Sequence, residues 1–210
     1  MIAIIDYGVG NLFSLSSSLR YLGLENKLTN KREDIQAADR IILPGVGAFA
    51  DAAEKLRQTG LVDTIKEETA AGKPLLGICL GMQLLFEKSL EYGEHQGLGL
   101  IPGEICPIQP DLRQLLKVPH IGWNSLRFTE KAYDEGKRVH PLLKYSRNGD
   151  YVYYVHSFYA KNCGENTLAV SEYDVEIPGA VANGSVLGTQ FHPEKSGSAG
   201  LAMLKAFSEL

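Results

Sequence analysis

Cysteine is scarce in this 210-residue chain. There are three, Cys79, Cys106 and Cys163, and an odd, widely spaced set fits neither a disulfide framework nor a zinc-ligand pattern. No block of Lys and Arg stands out, and the net charge is −4. That balance argues against a nucleic-acid binder, which needs cations for phosphate contacts. No apolar run approaches the roughly 20 residues needed to cross a bilayer. The opening stretch MIAIIDYGVG lacks the basic segment and long apolar core of a secretory signal; it reads as a first strand, and a reducing cytoplasm is the expected compartment. The chain also lacks G-x-x-x-x-G-K-[ST], and it has no G-x-G-x-x-G followed by a strand and an acidic residue. Nothing in it is built to hold a phosphorylated acceptor, and neither a metal nor a cofactor is expected. There is no repeat, low-complexity tract or convincing linker, so one domain over 1–210 is expected.

What is present is 44% hydrophobic and 22% charged residues, enough for a soluble core. A short apolar run at 1–6 is broken by YGVGN. Leu12, Leu15, Leu19 and Leu22 follow at helical spacing up to Gly23. RIILPGVGAF at 40–49 repeats the pattern: strand, glycine-rich turn, then a helix from about Ala50. GKPLLGIC at 72–79 is a third strand, and Met82, Leu85 and Phe86 predict that a helix follows. Short apolar strands alternating with helices imply a parallel sheet covered on both faces. The second half reads as strands at 117–128, 151–160, 167–174, 179–183 and 186–191, with mixed or antiparallel pairing, then a C-terminal amphipathic helix. The polar, turn-rich segment 129–150 fits no motif and is expected to be the loosest part.

One stretch carries chemistry: PLLGICLGMQLLFE, residues 74–87. Gly77 and Gly81 flank Cys79 in the G-x-nucleophile-x-G form, in which a sharp strand-to-helix turn exposes the nucleophile. At a helix N-terminus the dipole would favour the thiolate, and the Leu80 N–H would serve as an oxyanion donor. A buried structural cysteine is the plainer alternative. A thiolate catalyst needs an oriented histidine, and there are five to choose from: His95, His120, His140, His156 and His192. His192 stands in GTQFHPEKS, with Glu194 two residues on. Pro193 restrains the backbone between them, so the carboxylate can hold Nδ1 and leave Nε2 for Cys79. A strand-end histidine beside a surface glutamate is common, but the two motifs together supply nucleophile, base and orienting group.

GICLGMQLLFE together with FHPEKS resembles the class I (triad) glutamine amidotransferases, and the resemblance covers nearly the whole chain. Within that family DYGVGNL at 6–12, LPGVGAF at 43–49, GLGLIPG at 97–103, PHIGWN at 119–124 and FHPEKS at 191–196 are similar to the glutaminase subunits of imidazole glycerol phosphate synthase. The resemblance implies an α/β, flavodoxin-like three-layer fold: a central, mostly parallel sheet with helices on both faces, and additional antiparallel strands in the C-terminal half. It implies Cys79, His192 and Glu194 as a catalytic triad that hydrolyses glutamine through a thioester. Leu80 and the Val46–Gly47 turn would supply backbone oxyanion donors, the turn by a peptide flip. Gly47, Gln83, Glu91, Ser157 and Phe158 would hold the amino-acid end of glutamine. Cys106 and Cys163 read as structural.

The resemblance also implies a partner, a cyclase subunit with a (β/α)8 barrel that receives the ammonia, with Asn11, Trp123, Asn124, Tyr153 and Lys195 near the mouth where the two meet. Two other readings stay open: the glutaminase of another amidotransferase, such as that of anthranilate synthase or of a purine or pyridoxal pathway, and a non-catalytic regulatory relative. GWN and DYGVGNL argue against the first, the intact Cys79, His192 and Glu194 against the second. A cysteine peptidase or redox protein lacks support, since there is no C-x-x-C.

Overall fold

The computed structural model describes all 210 residues. The first half alternates strands and helices: β1 (Ile2–Ile5), α1 (Leu12–Tyr21), β2 (Asn26–Thr29), α2 (Arg32–Ala37), β3 (Arg40–Leu43), α3 (Phe49–Gln58), α4 (Val62–Ala70), β4 (Leu75–Ile78) and α5 (Leu80–Gln83). The second half is mostly strand: β5 (Phe86–Ser89), β6 (His95–Gln96), β7 (Ile101–Pro107), β8 (His120–Ser125), β9 (Arg127–Phe128), β10 (Tyr151–His156), β11 (Phe158–Lys161), β12 (Thr167–Glu172), β13 (Glu176–Asn183) and β14 (Val186–Thr189). Helix α6 (Gly197–Phe207) closes the chain.

The main sheet runs β2-β1-β3-β4-β14-β13-β12-β9. Its first five strands are parallel and its last three antiparallel. The strands β1, β3 and β4 are buried on both faces, and each sends alternate residues to opposite sides. Ile4, Ile42 and Leu76 pack with Leu15 and Leu19 of α1 and with Met203, Leu204 and Phe207 of α6. Ile5, Ile41, Leu43 and Leu75 pack with Phe49, Ala53 and Leu56 of α3 and with Ile65 of α4. This is the expected α/β three-layer arrangement, and the parallel order is that of flavodoxin-like folds, in which ligands gather outside the carboxyl ends of the strands.

Several details differ from expectation. The helix after β4 lasts only one turn, and Leu84–Phe86 does not continue it. The carbonyls of Leu84, Leu85 and Phe86 are taken instead by the amides of Leu98, Leu100 and Gly99, at 2.8, 2.8 and 3.0 Å. A short apolar run reads as helix or strand until its partner is known. The segments around 120 and 151 do not join the main sheet; β8 and β10 pair with each other as a separate ribbon, while β11, β7, β5 and β6 form a third sheet. The segment 129–150 is anchored at two places, while residues 133–138 between them are exposed. Ala132, Leu142 and Leu143 are fully buried in the core, and the turn at Pro141–Leu143 packs on α6; three well-placed apolar side chains outweigh a polar composition. No helix is long and apolar enough to cross a membrane.

Candidate functional site

Three loops meet at the carboxyl ends of β3, β4 and β14. The turn 44–48 follows β3, Cys79 follows β4, and His192 lies just beyond β14. Cys79 has φ 54° and ψ −112°, a conformation that L-residues rarely adopt and that marks a strained elbow. Its flanking glycines are required by space. A Cβ on Gly81 would stand 1.9 Å from the Leu43 carbonyl oxygen, and one on Gly77 would stand 2.7 Å from that of Gly81. The elbow is thus pressed against β3, and the sulfur is turned toward the cleft. Because α5 has four residues, the expected dipole shrinks to the peptides of a single turn.

The cleft has a volume of about 290 Å³ and is lined by Val46, Gly47, Cys79, Leu80, Gln83, Glu91, Ser157, Phe158 and His192, all named from the sequence. Glu194 stands behind His192: its Oε1 lies 2.9 Å from the ring Nδ1, and both side chains are buried. Burial pulls the imidazole down, but Cys79 and Glu194 together outweigh it and lift the ring to about 9. Nε2, the nitrogen left for the sulfur, has no partner of hydrogen-bond geometry. We therefore read the effect of Cys79 as proximity rather than an aligned bond. The sulfur has two other polar neighbours, Gln190 Nε2 at 3.8 Å and the Val155 carbonyl oxygen at 4.0 Å.

The turn facing the nucleophile is pinned at both ends and free between them. The buried Tyr7 hydroxyl donates to the Pro44 carbonyl at 2.6 Å, and the Phe49 N–H donates to Glu91 Oε2 at 2.7 Å. Between these pins the amides of Gly45, Val46 and Gly47 make no backbone hydrogen bond. Gly47 sits at φ 94°, a region open to glycine. Burial raises the Glu91 carboxyl, only partly opposed by that Phe49 bond. Gln83 is not a surface residue: its Nε2 donates to the Phe158 carbonyl at 3.0 Å and to Gln190 Oε1 at 3.1 Å.

The residues named for a partner face divide. Asn11 lines a small crevice with His192 and Glu194. Trp123 is 55% exposed and meets Tyr153 edge to face at 6.0 Å, while Lys195 Nζ lies 5.9 Å over the Tyr153 ring. Asn124 is not with them, because its amide is spent inward on His120 and on the Glu172 carbonyl. Three cleft residues went unnamed, Tyr92, Pro119 and Val155, and His156, considered from the sequence only as a candidate base, lines the cleft as well. Gln190, which touches the sulfur, was also missed; it is two residues before His192, and that spacing on a strand end was the only signal for it. Cys106 and Cys163 are buried away from the cleft, and burial raises both thiols.

The profile of the class-I glutamine amidotransferases matches residues 3–209. The chain belongs to this family. This class I amidotransferase is 49% identical over 212 residues to the imidazole glycerol phosphate synthase subunit HisH of Listeria monocytogenes, covering 100% of the chain and 96% of that relative. To the protein of the same name from Bacillus cereus it is 50% identical over 207 residues, covering 99% and 93%. Among solved structures, PurLQS from Thermotoga maritima superposes with a TM-score of 0.74 at 19% identity, covering 99% of this chain and 97% of that one. The crystal structure of a glutamine amidotransferase gives 0.73 at 20%, covering 99% and 100%. The amidotransferase fold is therefore shared with proteins of far more distant sequence.

Proposed function

We propose that the chain, acting as one domain, is the glutaminase subunit of an imidazole glycerol phosphate synthase in histidine biosynthesis. The reading rests on one observation above the others: the Cys79 sulfur, the His192 ring and the Glu194 carboxylate converge at a glycine-walled elbow that opens into a cleft. The near 50% identity to subunits of that name supports it.

The Cys79 thiolate attacks the side-chain amide carbon of glutamine. The oxyanion that forms takes the Leu80 N–H, which as the first amide of a helix lacks an i−4 partner, and an amide of the Val46–Gly47 turn rotated toward it. His192, already favoured in its protonated form, gives its proton to the leaving nitrogen, and ammonia departs. The neutral ring then draws a proton from water, whose oxygen attacks the thioester; the C–S bond breaks, glutamate leaves, and the sulfur returns to thiolate beside the imidazolium. Glu194 holds the ring and stabilises its charge. Gly47, Gln83, Glu91, Ser157 and Phe158 line the part of the cleft where the amino-acid end would lie.

Free ammonia is mostly protonated near neutral pH and is then no nucleophile, so it must reach its acceptor before meeting bulk water. A cyclase subunit, a (β/α)8 barrel docked over Trp123, Tyr153, Lys195 and Asn11, would receive it, making imidazole glycerol phosphate and the aminoimidazole carboxamide ribotide. The test is the purified complex with that cyclase. Cys79→Ala should abolish glutamine-driven synthesis and leave ammonia-driven synthesis intact. Loss of both, or failure of a cyclase to co-purify, would overturn the proposal.

A further inference from the structure

Two buried histidines have no role in the chemistry above. His120 on β8 and His156 on β10 face each other across the ribbon, His120 Nδ1 lying 3.0 Å from His156 Nε2. Both are well below the ordinary histidine range because burial disfavours their charge. His156 Nδ1 lies 2.8 Å from the Phe158 carbonyl oxygen, and Asn124 Nδ2 lies 3.3 Å from His120 Nε2. One placement of protons satisfies every atom. His156 donates from Nδ1 to that carbonyl, His120 donates from Nδ1 to His156 Nε2, and the Asn124 amide donates to His120 Nε2. The same Phe158 carbonyl also accepts from Gln83, which donates in turn to Gln190, the residue beside the Cys79 sulfur. The His120 ring is clasped between Tyr154 and Tyr173, with centroids 4.8 and 4.1 Å away and planes 23° and 25° apart.

We propose that the His120–His156 pair is a neutral positioning relay that fixes the Ser157–Phe158 wall of the cleft from behind and so sets its affinity for the amino-acid end of the substrate. The proposal rests on the glutaminase reading and deepens it. His156 lines the cleft beside the wall it holds, whereas His120 stands behind it. Loops that line a site are the least constrained part of a fold, and this wall is the one-residue link Ser157 between β10 and β11 together with Phe158, the first residue of the edge strand β11. The Phe158 carbonyl is held by two donors, and the one from His156 is oriented by a chain reaching Asn124, beside Trp123. A buried polar chain with every member satisfied rigidifies its surroundings, whereas a broken one does not.

The test is covalent labelling of Cys79 in the full chain with a glutamine-like chloroketone, read as an apparent binding constant and a maximal rate. Iodoacetamide, which needs the thiol but no amino-acid pocket, is the control. His120→Phe keeps the ring stack and breaks both hydrogen bonds. It should weaken chloroketone binding about tenfold while leaving the maximal labelling rate and the iodoacetamide rate unchanged. His120→Asn, which can still donate to His156, should recover to within about twofold. Asn124→Ala cuts the outer end on an accessible strand and should give a smaller loss of the same kind; it carries the test if His120→Phe does not fold. Unchanged binding in the folded variants, or an equal loss with iodoacetamide, would overturn the relay. A wild-type protein that the chloroketone labels no better than iodoacetamide does would instead overturn the glutaminase reading.

Discussion

His192 and Glu194 are joined by a 2.9 Å contact between Nδ1 and Oε1 although only Pro193 separates them in the chain. A histidine free in the unfolded chain titrates near 6.5, and this one is lifted to about 9. A group raised on folding contributes stability that is fully present below its unfolded pKa and is lost as pH rises through its folded one. Urea unfolding should therefore show a contribution from His192, at most about 3 kcal/mol, that declines between roughly pH 6.5 and 9. His192→Gln should flatten the profile there. In Glu194→Gln the ring keeps its burial and loses its carboxylate, so an NMR titration should place its pKa below the wild-type value.

The elbow makes a sharper demand on Gly81. With the Leu43 carbonyl oxygen 1.9 Å from where a Cβ would sit, Gly81→Ala must push α5 away from the end of β3. Overpacking of this kind costs ~3 kcal/mol or more when backbone is in the way, which for a chain of this size lowers Tm by roughly 6 °C or more. Iodoacetamide labelling of Cys79 should fall with it, because the sulfur is no longer presented. Gly164→Ala is the control: nothing lies within 4 Å of its Cβ position and its φ is not left-handed, so scanning calorimetry should find it near wild type.

Gln190 is the one amide that faces the sulfur, at 3.8 Å. A thiolate gains from that donor and would be opposed by an acid in its place. Gln190→Glu should slow iodoacetamide labelling at neutral pH by roughly tenfold and shift its pH midpoint upward. A labelling rate and midpoint equal to wild type would show that the amide does not act on the sulfur.

The parts legible in the sequence were those written in local spacing. Gly77, Cys79 and Gly81 stand in five residues, and His192 and Glu194 in three, so one peptide segment defines each piece. The parallel strands were legible for a similar reason, because strands buried on both faces are simply apolar. What escaped was set by partners distant in the chain. β2 is an edge strand of sequence NKLT with one buried residue, so it carries no apolar signature. The helix stopped at Leu84–Leu85, a turn leading into β5 at Phe86, because residues 98–101 claimed the carbonyls of Leu84, Leu85 and Phe86. His120 and His156 are 36 residues apart, and Gln190 meets Cys79 across 111. No periodicity reports contacts of that kind, which register alone creates.

Trp123 offers a readout of the partner, being the only tryptophan of the chain. It is half exposed on β8, edge-on to Tyr153, with Lys195 over the far ring, a grouping of aromatic and cation typical of interface anchors. Docking of the cyclase should bury the indole and shift its emission to the blue, measured against a cyclase lacking tryptophan. Trp123→Ala should weaken the complex by about 2 kcal/mol or more, roughly thirtyfold in Kd. The Tm of the isolated chain should change little, because an exposed ring contributes little to its fold. If affinity is unchanged by the substitution while the emission of the wild type stays that of a solvated indole, the cyclase docks elsewhere, and the cluster around Tyr153 belongs to the fold alone.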